Sequence, residues 1–111
     1  MGLPHLIDQA AAVAAVLSEL DVHRNERVLI MLPDGPGFTE SFAGALRHHA
    51  VPLPVSPLLS AHDLATTAGQ AGARLVLAAS DQLPTLAGLD TEPPILINGP
   101  SGPRIAALRL R

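Results

Sequence analysis

Leu32-Pro33-Asp34-Gly35-Pro36-Gly37-Phe38 and Val51-Pro52-Leu53-Pro54-Val55-Ser56-Pro57-Leu58-Leu59-Ser60 frame the segment from Phe38 to Ala50, and their reading decides the fold. Just ahead of the first stretch, Val28 to Leu32 is a continuous apolar run bounded by Arg27 and Pro33. That is the pattern of a strand buried on both faces. Pro36 has a fixed φ that suits a first helical turn, so a helix is predicted from there, with Phe38, Phe42, Ala45 and Leu46 on its buried face. Arg47, His48 and His49 close it with side chains that suit the negative end of a helix. Val51 to Val55 then reads as a second strand. Backbone N–H groups two residues apart point to the same side. Pro52 and Pro54 therefore strip one flank of donors, while Val51, Leu53 and Val55 keep theirs for the other. This strand is predicted at a sheet edge.

Working outward, Leu6, Val13, Val16, Leu17 and Leu20 repeat at helical spacing and predict an amphipathic helix over Leu6 to Leu20. Asp21 to Glu26 is a polar connection. Ser60 followed by Asp63 has the form of a capping box and opens a helix to about Ala71, stopped by Gly72 in a left-handed terminal position. Arg74 to Ala79 gives a third strand, Asp81 to Leu89 a short helix, and Ile95 to Asn98 a fourth strand. Gly99 to Arg111, with glycine, proline and three arginines, reads as a loop or frayed tail. Strands alternating with helices imply an α/β fold: a small three-layer parallel sheet with helices on both faces and the flavodoxin-like strand order 2-1-3-4. Residues 1–98 are expected to form one α/β subdomain and 99–111 the tail. No internal repeat is visible.

Composition narrows the function classes. At 111 residues the chain has room for one core; it is 48% hydrophobic but only 2% aromatic, so Leu, Val, Ile and Ala must build that core. The net charge of −3 leaves no basic stripe, and the lack of Trp and Tyr removes stacking platforms, which argues against nucleic-acid binding. Zero cysteines exclude a disulfide scaffold, a thiol nucleophile and thiolate metal sites. Ala10 to Leu17 is apolar, but Asp8 rather than a basic residue precedes it, so it does not read as a signal segment. Charges or prolines interrupt every apolar run before it reaches membrane-spanning length. Cytoplasmic residence is the expectation.

Arg27-Val28-Leu29-Ile30-Met31-Leu32-Pro33-Asp34, Phe42-Ala43-Gly44-Ala45-Leu46-Arg47 and Val51 to Ser60 carry a resemblance. In order and in form, Arg27 to Ser80 resembles the first α/β layer of the adenylate-forming superfamily of acyl-CoA synthetases, aryl-CoA ligases and acyl-AMP ligases. The resemblance implies a parent reaction in which a carboxylate and ATP give an acyl-adenylate, followed by transfer to a thiol. ATP, Mg²⁺ and coenzyme A are implied for the full-length family only. That family relies on a Ser/Thr/Gly-rich phosphate loop ending in Pro-Lys and on a catalytic lysine, and this chain contains no lysine. Its nearest Gly/Ser-rich stretch, Asn98-Gly99-Pro100-Ser101-Gly102-Pro103-Arg104, carries prolines where phosphate-binding N–H donors are needed and reads as a turn. The chain is thus expected to be an N-terminal subdomain, inactive alone, whose partner is the remainder of an adenylating enzyme or a second copy. The alternatives are a non-catalytic α/β interaction module, or an independent small-ligand-binding domain with a preformed pocket at the carboxyl ends of the first and third strands.

The remaining candidates read as structural. Asp34-Gly35-Pro36-Gly37 lies where a dinucleotide-binding turn would, but Glu40 replaces the third glycine and Pro36 removes a donor. His48 and His49 project about 100° apart on a helix and lack a ligand-spaced partner. Asp34, Asp63 and Asp81 sit near strand ends as in phosphoacceptor domains, without the paired acids and lysine such domains need. Ser56, Ser60, Ser80 and Ser101 include no nucleophile elbow. No catalytic, cofactor-binding or metal-ligating residue is assigned.

Overall fold

The computed structural model describes residues 3–99 and 102–111. Three helices, α1 (Leu3–Glu19), α2 (Pro36–Arg47) and α3 (Ala61–Ala71), accompany the strands β1 (Arg27–Met31), β2 (Val51–Pro54), β3 (Ala73–Ala79), β4 (Ile95–Gly99) and β5 (Gly102–Arg109). The sheet order is β2-β1-β3-β5-β4. β1 runs parallel to β2 and β3, whereas β5 is antiparallel to both of its neighbours. The four predicted strands therefore keep the order 2-1-3-4 and one direction, with β5 inserted between the last two.

Strand residues alternate between two apolar clusters. Val28, Ile30, Leu75, Leu77, Ile105 and Ala107 face α1 and α2. Leu29, Met31, Val76, Ala78, Ala106 and Leu108 face α3 through Leu64 and Ala68. This is why Val28 to Leu32 reads as unbroken apolar sequence: both faces of the sheet are covered. Among the described residues, no helix is long and apolar enough to cross a membrane.

The edge position of β2 follows the proline argument atom by atom. Val51 N–H donates to the Glu26 carbonyl at 2.8 Å and Val55 N–H to that of Ile30 at 3.0 Å, both on the β1 flank. Helix α3 is bounded as its sequence predicts. Ser60 Oγ accepts from Asp63 N–H at 3.1 Å, and Gly72 takes φ 64° at the carboxyl end.

Three expectations need correction. The loose tail expected over 99–111 is not found among the described residues there, because Gly102–Arg109 forms β5, and Ile105, Ala106, Ala107 and Leu108 are buried. The segment lacks periodicity for the reason β1 does, since it is a strand covered on both faces, and it pairs antiparallel with β4. The helix predicted over Asp81 to Leu89 shrinks to a 3-10 turn at Ser80–Gln82 followed by further turns. Pro84 has no N–H to continue the ladder, and the Ser80 carbonyl accepts instead from Leu83 at 3.3 Å.

The buried face of α2 is also displaced from the predicted one. Glu40, Ser41, Gly44 and Ala45 are buried, Phe38 and Phe42 are half-buried, and Leu46 is 54% exposed. The cause is the crossing of α1 over α2 at Gly44. A Cβ there would lie 2.5 Å from the Val13 Cβ and 2.9 Å from the Ala10 carbonyl oxygen, so small residues, not large ones, face the neighbouring helix.

Candidate functional site

A cavity of about 170 Å³ opens at the carboxyl ends of β1 and β3, lined by residues 32–38, Ala79, Arg104 and Ile105. The strand order β2-β1-β3 sends the connections from β1 and β3 to opposite sides, so this crevice is the topological switch point, where open α/β sheets commonly bind ligands. Gly35 turns the chain into α2 at φ 146°, a backbone region that favours glycine, and no side chain caps the helix start. Thr39 N–H and Oγ1 both bond the Gly35 carbonyl, at 3.1 and 3.2 Å.

Behind this cavity lies a buried ion pair. Arg104 Nη2 donates to Glu40 Oε1 at 2.6 Å, with the Glu40 side chain 2% exposed and that of Arg104 28% exposed. His5 Nε2 stands 3.6 Å from the other carboxylate oxygen, Oε2. Three elements, α1, α2 and β5, thus meet at one carboxylate. A Cβ at Gly99 would collide with the Arg104 guanidinium, so that glycine gives the arginine room to reach Glu40.

The residues weighed from the sequence are dispersed. Asp34 lines the cavity rim, Asp63 donates its N–H to the Ser60 cap, and Asp81 lies in the 3-10 turn. His48 Nε2 bonds the Val22 carbonyl oxygen at 2.5 Å, and His49 takes φ 61° where α2 ends. Ser56 Oγ accepts from Leu58 N–H at 3.1 Å, and Ser101 lies outside the described residues. Among the described residues, no group of three His, Cys, Asp or Glu side chains is placed to hold a metal ion. Glu40 and Arg104 are what the sequence reading missed. The available signal was the spacing of Gly37, Ser41, Gly44 and Ala45, a ridge of small residues marking the tightly packed face of α2, to which Glu40 is adjacent.

At the opposite end of the sheet a wider cavity, about 530 Å³, is lined by Glu26, Arg27, Arg74, Asp90, Arg111 and the end of α3 among others. Arg27 Nε donates to the Ala71 carbonyl at 2.9 Å, and Arg74 Nε to Glu26 Oε2 at 2.8 Å. The backbone N–H of His23, 2.7 Å from Glu26 Oε1, is the main cause of a lowered Glu26 pKa; burial opposes it, and the Arg74 hydrogen bond adds to it. A lowered folded-state pKa stabilises the fold above the ordinary carboxylate range, and that contribution is lost as pH falls through the folded value. Urea melts across the acid range should therefore show native protein losing stability below pH 4.5, the ordinary value for this group, faster than Glu26→Gln does. Parallel pH profiles for the two proteins would show that the carboxylate contributes nothing.

A family model described as AMP-binding enzyme matches residues 5–102. No curated protein sequence matches the chain. Among solved structures, a Mycobacterium tuberculosis fatty acyl CoA synthetase superposes with a TM-score of 0.71 at 24% identity, over 80% of this chain and 18% of that one. A benzoate CoA ligase from Burkholderia xenovorans LB400 gives 0.67 at 29% identity, over 74% of this chain and 17% of that one. A fatty acid AMP ligase from Legionella pneumophila gives 0.64 at 24%, over 71% of this chain and 14% of that one. The chain spans less than a fifth of each of these.

Proposed function

The chain belongs to the AMP-binding enzyme family, and from that premise we propose that it forms the N-terminal α/β layer of an ATP-dependent acyl- or aryl-activating ligase and performs no adenylation by itself. The observation that carries this reading is the joint order of Arg27 to Asp34, Phe42 to Arg47 and Val51 to Ser60, placed on β1, α2 and β2. The parent reaction makes an acyl-adenylate from a fatty or aromatic carboxylate and ATP with Mg²⁺, then passes the acyl group to a thiol such as that of coenzyme A. Preorganised positive charge and N–H donors are usually the largest source of catalysis where negative charge develops. This chain has no lysine and its glycine-rich turns are interrupted by proline, so it does not carry the phosphate loop and lysine through which that family supplies them.

Carboxylate-dependent exchange of pyrophosphate into ATP tests this reading. None is expected from the purified chain across a panel of fatty and aromatic acids, and exchange above a heat-treated control overturns it. A second consequence is association, with the remainder of such an enzyme or with another copy as partner. Leu3, Ile7, Leu46, Leu58 and Leu96 are exposed, and burial of each is worth about 1.5–3 kcal/mol. Sedimentation velocity should show concentration-dependent association over a roughly hundredfold range. A constant monomer with a high, cooperative melt would favour the independent binding domain, for which the cavity at the carboxyl ends of β1 and β3 is the specific observation.

A further inference from the structure

We infer that the cavity at the amino-terminal ends of β1 and β3 binds a phosphate monoester carrying a short apolar body. This site is separate from the switch-point crevice, and the inference does not depend on the ligase reading. At about 530 Å³ the cavity has the volume of a small-molecule pocket. Arg27, Arg74 and Arg111, three of the chain's seven arginines, line it, although the chain as a whole is acidic.

Two of these guanidinium groups are anchored from behind. Arg27 is held at Nε by the Ala71 carbonyl, against Gly72, where a Cβ would lie 2.8 Å from Arg27 Nη2. Arg74 is held at Nε by Glu26 Oε2. A guanidinium fixed through Nε retains its two Nη groups, a planar pair of donors matched to phosphate oxygens. Glu26 is engaged on both oxygens, one accepting from His23 N–H and the other from Arg74, and its charge offsets that of Arg74, which leaves Arg27 and Arg111 as the groups that draw the anion. Asp90 is 78% exposed and 3.6 Å from Arg111 Nη1, the kind of solvated ion pair that contributes little and that a dianion displaces.

The rest of the lining selects the body of the ligand. Ala65, Ala68, Leu89 and Leu110 make an apolar wall, and the small residues Gly69 and Gly72 leave room beside it. A bare phosphate would leave that wall wet. A neutral apolar molecule would leave the guanidinium groups unused. A phosphate monoester with a small hydrocarbon or aryl group fits both.

The test is a titration of the full chain with phenyl phosphate, followed by amide chemical shifts. Saturable shifts are expected at Gly69, Gly72, Ala73 and Leu110, with affinity reduced about tenfold or more in Arg111→Gln and in Arg27→Gln, since each loses a charged hydrogen bond. Arg111→Gln is the cleaner variant, because the 3.1 Å bond from its backbone N–H to the Asp90 carbonyl survives the change. The absence of saturable shifts, unchanged affinity in both variants with native-like spectra, or shifts confined to residues 34–38 would overturn the inference. Inorganic phosphate binding as tightly as phenyl phosphate would overturn the assignment of an apolar body.

Discussion

Arg104→Met is expected to destabilise the protein by about 3–5 kcal/mol, because it strands a carboxylate in the interior. Glu40 is 2% exposed, and the other nitrogen facing it, His5 Nε2, lies beyond hydrogen-bonding distance at 3.6 Å. For a domain of this size such a loss lowers the melting temperature by more than about 10 °C. The reverse substitution, Glu40→Gln, should cost less, since the Arg104 side chain is 28% exposed and its released charge can reach water. Replacing both, as Glu40→Leu with Arg104→Met, should recover most of the loss, because apolar groups of similar volume often substitute for a buried pair without penalty. Thermal melts of the three variants decide the matter. Single-substitution losses below about 1 kcal/mol would mean that the pair behaves as a surface salt bridge.

Gly44→Val should undock α1 from α2. An added Cβ meets Val13 Cβ at 2.5 Å, Val13 Cγ1 at 2.6 Å and the Ala10 carbonyl oxygen at 2.9 Å. The last of these is backbone and cannot rotate away. Overpacking typically costs 1–3 kcal/mol, and the valine branch puts this site at about 3 kcal/mol or above. Gly44→Ala is the informative control. Helix propensity favours alanine over glycine by roughly 1 kcal/mol, so a net loss there isolates the collision between the helices. A stabilised Gly44→Ala protein would show that α1 yields by sliding and that the close crossing is not required.

The edge position of β2 was legible in Pro52 and Pro54 because a missing N–H is a local property of the residue. The bounds of α3 were legible for the same reason, in the hydroxyl of Ser60 and the freedom of Gly72 at positive φ. The run Val28 to Leu32 likewise announced a doubly covered strand, since burial on both faces removes polar residues from the sequence itself. What carried the family resemblance lies almost wholly in these local signals.

Local signals could not place β5. Ile105 to Leu108 is as apolar as β1, but glycine, proline and arginine around it obscured the pattern, and its insertion beside β3 depends on pairing with Leu75 to Ala79, far away in the chain. Glu40 and Arg104 are likewise 64 residues apart, and no spacing rule connects them. The sequence alone determined the alternation of strands and helices, the edge at β2 and the want of any lysine among its 111 residues, all read residue by residue. Only the tertiary structure decided the insertion of β5, the small-residue face of α2 and the buried carboxylate between them. Each of these depends on which distant surfaces exclude water together, and that is a property of packing rather than of any one segment.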